Sequence, residues 1–163
     1  MQGTLTTTTN SPRPGYKPTS ASDVMSYLHS LGMTPSVRRI VSRQLNHEVE
    51  RDNLLGLKER LREIKQLKRG WDGYEAMPTN RRILSFVEHL LEECSPRTLA
   101  DWSLSPDVNA TIILEKDNAV INIGQDEFSY AAEAATGHIG ESHLPVSTES
   151  VIRVINTINS YAD

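Results

Sequence analysis

The stretch Gly70-Trp71-Asp72-Gly73-Tyr74-Glu75-Ala76-Met77-Pro78 constrains this chain more than any other. It stands where a long amphipathic pattern must stop and a second one begins. Gly70 reads as the left-handed C-cap of the first helix, because glycine enters that conformation without a Cβ penalty. Trp71 is expected to carry a large apolar surface onto whatever that helix packs against. Asp72-Gly73 is a turn dipeptide, in which the carboxylate accepts nearby backbone N–H groups and glycine takes positive φ. Pro78 bars Met77 from the helical region and prepares the next helix start. The stretch therefore predicts an ordered, partly buried hinge, in which Trp71, Asp72, Gly73, Tyr74 and Pro78 form a structural or interaction motif.

The residues before and after this hinge differ in charge. Residues 1–70 hold 12 Lys/Arg against 6 Asp/Glu, a balance of +6, and residues 71–163 hold 5 against 15, a balance of −10, which together give the net −4. A basic half and an acidic half imply two partners of opposite sign, or an oligomer in which the halves meet. The sequence thus divides into a tail (1–20), a basic helical region (21–70) and an acidic α+β domain (71–163). The tail is rich in Thr, Ser and Pro and has too little apolar surface to offset the entropy of ordering, so it reads as disordered.

In the basic region, Ser22–Leu31 reads as a short helix with Val24, Tyr27, Leu28 and Leu31 on one face, stopped by Gly32. Thr34-Pro35 opens another, with Val37, Ile40, Val41 and Leu45 inward. A helical hairpin is the simplest reading, and its arginines make a helix-turn-helix the alternative. From Glu48 to Arg69 the pattern is strongly helical. Leu54, Leu57, Leu61 and Ile64 recur at the spacing of a coiled-coil seam and are candidates for a dimer interface. Arg38, Arg39, Arg43, Arg60, Arg62, Lys65 and Arg69 are candidate contacts to the phosphates of DNA or RNA.

After the hinge, Thr79 is expected to cap a helix to about Cys94, with Ile83, Phe86, Val87, Leu90, Leu91 and Cys94 as its buried stripe. The periodicity then changes to two. Strands are expected at Ala100–Leu104, Ala110–Glu115, Ala119–Ile123 and Glu127–Ala131, with a loop or edge strand around Ile139 and a last helix after Pro145. The fold class is α+β: an N-terminal helical hairpin and long helix, then a helix, an antiparallel three- to four-stranded meander and a C-terminal helix.

The motif and this order of elements resemble a set of small bacterial proteins of uncharacterised function that share G/N-W-D-G-Y-x-A-x-P, some encoded near mobile-element or toxin–antitoxin genes. The resemblance runs from Leu54 to Tyr161, and its specific part is Trp71–Pro78. Glu75 stands where glycine is more usual. The resemblance implies a fold and a regulatory, antitoxin-like or mobile-element accessory role, and it supplies no catalytic residue.

Catalytic chemistry is thinly represented. There is no phosphate-cradling glycine loop, no His-Glu-x-x-His and no nucleophile elbow. One cysteine, Cys94, excludes an intrachain disulfide and a Cys-based zinc site. His138 and His143, with Glu141 and Asp126, are the nearest approach to a metal set. Asp72 and Glu75 are the nearest to an acid–base pair. Neither pattern suffices, so no metal, cofactor or catalytic residue is expected. No apolar run approaches the ~20 residues of a membrane span, and no secretion signal begins the chain, which predicts a cytoplasmic protein without membrane contact. The leading expectation is a non-enzymatic protein-interaction or regulatory module that meets itself or a protein partner through helices 21–69. A DNA- or RNA-binding regulator using 35–69 is the alternative, and a hydrolase at the Trp71–Tyr74 loop is third.

Overall fold

In the computed structural model, residues 21–134 and 137–161 are described, and the expected tail lies outside them. The contacts divide the chain between Val49 and Glu50. This packing boundary falls inside a helix and differs from the charge boundary at Gly70.

The first unit holds α1 (Ala21–Ser30) and the start of α2 (Pro35–Gln66). The turn between them is closed by Gly32 N–H donating to His29 O at 3.2 Å, and Thr34 O accepts from Arg38 N at 2.9 Å, as Pro35 at the first helical position predicts. Val24 and Leu28 are buried as expected. Val37 and Ile40 are exposed, so the expected inward face of this segment is corrected at those two positions. A second correction concerns α2 itself. No break occurs near Asn46-His47, and the second arm of the expected hairpin and the long helix are one helix of 32 residues.

The second unit carries the core. The C-terminal half of α2, then α3 (Arg81–Glu93) and α4 (Thr148–Tyr161) lie on one face of a five-stranded antiparallel sheet. The strands are β1 (Ser103–Pro106), β2 (Ile112–Lys116), β3 (Ala119–Ile123), β4 (Glu127–Ala134) and β5 (Gly137–Pro145), in spatial order 1-2-3-4-5. The α+β class and the meander are as expected, with five strands instead of three or four. The segment around Ile139 is a full edge strand. Its pairing to β4 places Phe128 opposite Leu144 and Tyr130 opposite Glu141, so Ser142 and His143 together oppose Ser129. This is a β-bulge, with His143 at φ 59°.

Alternation of side chains decides the two sheet faces. Leu104, Leu114 and Ile121 are paired across β1, β2 and β3, and Ile112, Ile123 and Phe128 across β2, β3 and β4; all six are buried. They meet Leu57, Leu61 and Ile64 of α2, Ile83, Val87, Leu90 and Leu91 of α3, and Val151, Ile155 and Ile158 of α4 in a single cluster. The opposite face presents Ser103, Glu115, Val120, Ala131 and Gly140 in one row, all exposed.

The expected dimer seam is therefore corrected. Leu57, Leu61 and Ile64 are buried and Leu54 packs partly buried against them, inside the chain's own core. The sheet's inner face needed a third helix, and the seam supplies it. Trp71 is half-buried, as a partly buried hinge predicts, and the fully buried indole is Trp102, 2% exposed, whose Nε1–H donates to Asn159 Oδ1 at 3.1 Å. Asn159 Nδ2 in turn donates to Thr98 O at 2.8 Å, tying α4 to the segment before β1. We expect Trp102→Ala to cost about 3–5 kcal/mol in denaturant unfolding, the range for a buried aromatic cut to alanine. Leu61→Glu should unfold the second unit at lower denaturant, because the carboxylate enters a dry core and not an exposed seam.

Candidate functional site

The hinge is an ordered loop whose side chains bind its own backbone. Helix α2 ends at Gln66, earlier than expected, and two further turns follow, with Leu67 N donating to Ile64 O and Trp71 N to Lys68 O, both at 3.1 Å. Gly70 therefore serves the loop and not the helix end: its N–H donates to Ala76 O at 2.9 Å. Its φ is +76°, and a Cβ there would stand 3.1 Å from Tyr74 O. Gly73, at φ +86°, donates to Gly70 O at 3.0 Å. Asp72 behaves as its turn chemistry predicts, with Oδ1 accepting from Tyr74 N at 2.9 Å and Ala76 N at 3.2 Å. Trp71 Nε1–H donates to Met77 O at 3.2 Å, so the indole brings the exit of the loop back over its entrance. Ala76 and Thr79 are buried beneath.

A second turn braces the first. Asp107 Oδ2 accepts from Thr111 Oγ1 and Asn109 Nδ2, both at 3.1 Å, and from Asn109 N at 3.4 Å, while Ala110 takes φ +67°. Met77 N then donates to Val108 O and Asn80 N to Ala110 O, both at 3.1 Å. Asn80, and not Thr79, caps α3: its Oδ1 accepts from Arg82 N at 2.8 Å, and its Nδ2 donates to Gln125 Oε1 at 2.8 Å. Thr79 lies one residue before the cap, because α3 begins at Arg81. The loop 70–80 is thus laced to the β1–β2 connection and to the β3–β4 turn.

On this framework stand three exposed large side chains, Tyr74 at 85%, Met77 at 48% and Val108 at 47%. Of the expected motif, Trp71, Asp72 and Gly73 are accounted for by loop geometry, and Pro78 is exposed. Tyr74 gives the loop only its backbone N–H, and its ring faces solvent. Met77 and Val108 were missed in the sequence. Asp107-Val108-Asn109 has the composition of a turn, which was the available signal, but nothing in it says that its apolar middle residue would adjoin Met77.

The remaining candidates are distributed. Arg38 donates to Met33 O at 2.9 Å, Arg60 pairs with Glu63 at 2.7 Å, and Lys65 pairs with Glu88 at 2.7 Å across α2 and α3. Three of the seven candidate phosphate contacts therefore have partners inside the chain, whereas Arg39, Arg43, Arg62 and Arg69 are exposed. His143 Nδ1 lies 2.6 Å from Glu127 Oε2 across the bulge, and His138 Nδ1 lies 3.9 Å from Glu133 Oε1. Among the described residues no three His, Cys, Asp or Glu side chains gather as a metal site would require, and no helix is long and apolar enough to cross a membrane. The Cys94 thiol is pushed up to about 11 by burial and by the neighbouring Glu93 carboxylate.

No protein-family model, curated protein or solved structure matches this chain.

Asp72→Ala should lower unfolding stability by about 1–2 kcal/mol, since two backbone donors lose a charged acceptor, and Tyr74→Ala should stay within about 0.5 kcal/mol. Cys94 should be alkylated far more slowly at pH 8 in the folded chain than in urea, because the thiolate is the nucleophile. The thiol's folded pKa lies above its unfolded value. Its contribution to stability is therefore fully present below about pH 9 and is lost as pH rises towards about 11.

Proposed function

We propose that this chain is a non-enzymatic protein-interaction module whose binding element is the 70–78 loop, with Tyr74 as its anchor. The observation that carries this reading is Tyr74 itself: an aromatic ring, 85% exposed, held on a loop in which Gly70, Trp71, Asp72 and Gly73 all have structural roles. Surface aromatics of this kind dominate the energetics of protein interfaces, because they bury a large area with few rotatable bonds. A loop already fixed by its own hydrogen bonds loses little further freedom on binding. Met77, also exposed on this loop, and Val108, whose carbonyl accepts from Met77 N, add apolar surface to the region, and Lys68 and Arg69 are exposed where the chain enters the loop.

The reading fits the resemblance of the motif to small bacterial proteins, which adds a regulatory, antitoxin-like or mobile-element accessory role. A protein is favoured over a nucleic acid at this loop, because two of its three exposed large side chains are aliphatic and Glu75 sets a carboxylate among them. Carboxylates repel phosphates, and aliphatic side chains offer no stacking plane.

The test is a pair of tagged chains, unmodified and Tyr74→Ala, used to capture partners from the native host. Tyr74→Ala should keep its thermal midpoint and lose at least tenfold in retained partner, about 1.4 kcal/mol. Equal retention by both chains would remove Tyr74 from the interface and with it this reading.

A further inference from the structure

Independently of the Tyr74 loop, we infer that the outer face of the sheet is a docking site for the chain's own residues 12–18, Pro-Arg-Pro-Gly-Tyr-Lys-Pro. The face is negative. Side-chain alternation sets Glu115, Glu127 and Glu133 on it with Ser105, Asn122 and Ser129, and no strand contributes a Lys or Arg to it. Lys116, the one such residue in the five strands, lies on the inner side, where its Nζ donates to Asn159 Oδ1 at 3.1 Å. Glu127 is held by His143, 2.6 Å away. Glu115 and Glu133, with Asp117, instead line a groove of about 410 Å³ where β2 ends, β3 begins and β4 ends, and Val120 and Ala131 give it an apolar floor. His138 is the one base in its lining, 3.9 Å from Glu133.

Charge and spacing select the occupant. Residues 1–20, which lie outside the described structure, contain Arg13 and Lys17 and no Asp or Glu; the first carboxylate of the chain is Asp23. A purely cationic segment and a face without cations attract each other. The 70–78 loop has no such bias, because it carries Asp72 and Glu75. Nor does the cleft between α2 and α3 compete for the segment, since Lys58, Arg62 and Lys65 line it beside its carboxylates. The spacing matches as well. From Glu115, two strand spacings lead through Val120 to Ala131, and two further residues lead to Glu133, a separation of roughly 12 Å. Four extended residues from Arg13 to Lys17 cover roughly 13 Å. Each cation then reaches one carboxylate, and the Tyr16 ring lies over Val120 and Ala131. The groove falls in the ~300–1,000 Å³ range of clefts that take organic groups, so it has room for that ring. Prolines at 12, 14 and 18 restrict the free segment's backbone, which lowers the entropy that docking removes.

The test is the full chain with a benzophenone photo-crosslinker in place of Tyr16. Crosslinks should map to residues 115–133, whether within one chain or between two copies, and their yield should fall as salt screens the exposed pairs. Arg13→Glu together with Lys17→Glu should lower the yield roughly fivefold, as the loss of two exposed ion pairs permits. Adding Glu115→Lys and Glu133→Lys to that same chain should restore it. Both glutamates are exposed, so circular dichroism of this variant should match that of the unmodified chain. If it does not, Glu115→Gln with Glu133→Gln takes its place and must lower the yield as far as the Arg13 and Lys17 reversal does. Crosslinks that map elsewhere, a yield that ignores either pair of substitutions, or a reversal that the exchanged charges do not restore overturns the inference. So does capture of only a different protein at position 16. None of these outcomes bears on Tyr74, whose partner is read from its own variant.

Discussion

The structure depends on covering one face of an antiparallel sheet and leaving the other bare. A five-stranded meander buries a continuous apolar face only if helices span its width, and α3 and α4 are joined there by the C-terminal half of α2. Leu57, Leu61 and Ile64 therefore belong to the same cluster as Ile121 and Phe128. With those three positions used, the helix interior and the sheet interior become one core. The outer face is free to carry small and polar residues such as Ser103, Ala131 and Gly140, and to form a groove where its strands turn. Burial on one side thus decides which residues face solvent on the other.

Much of this was legible in the residues. Period-two alternation through Ala119–Ile123 located β3 to the residue, and the continuous run Ile112–Leu114 marked a central strand. The stripe of α3 named the helix's buried face, Ile83, Val87, Leu90, Leu91 and Cys94, because apolar residues spaced at 3.6 share a face only on a helix. The failures have physical causes. A leucine seam has the same spacing whether it meets a second chain or its own sheet, so Leu57, Leu61 and Ile64 could not reveal their partner. Thr79 and Asn80 are both good caps, and the start of the helix at Arg81 decides between them. Strand β5, with two glycines, two histidines and a bulge, follows no alternation at all and is held by pairing to β4.

Of the two tryptophans, sequence context promotes the wrong one. Trp71 sits in a motif and Trp102 does not, yet Trp102 fills the core and Trp71 binds a loop carbonyl. Motif residues are set by the conformation they impose, whereas core residues are set by volume, which many side chains supply. The W-D-G-Y stretch is consequently read best as a mechanism for holding a backbone in place. Two glycines permit the reversal, Asp72 satisfies the N–H groups of Tyr74 and Ala76, and Trp71 donates to the carbonyl of Met77.

A connection between two helices needs only a few polar residues, and flexible ones suffice. This loop instead commits two positive-φ glycines, a carboxylate and an indole to fixing nine residues, then laces them to the Asp107–Thr111 turn. The rigidity does not serve the core, which is complete without Tyr74, Met77 and Val108. Exposing three large apolar groups on an immobile frame is unfavourable for a solitary chain, since it invites association. The same arrangement favours a bound state, because neither the ring nor the backbone has much entropy left to lose on docking. The loop's internal bonds and its exposed ring are therefore two parts of one arrangement: the bonds set where the backbone of Tyr74 stands, and the ring is left to solvent.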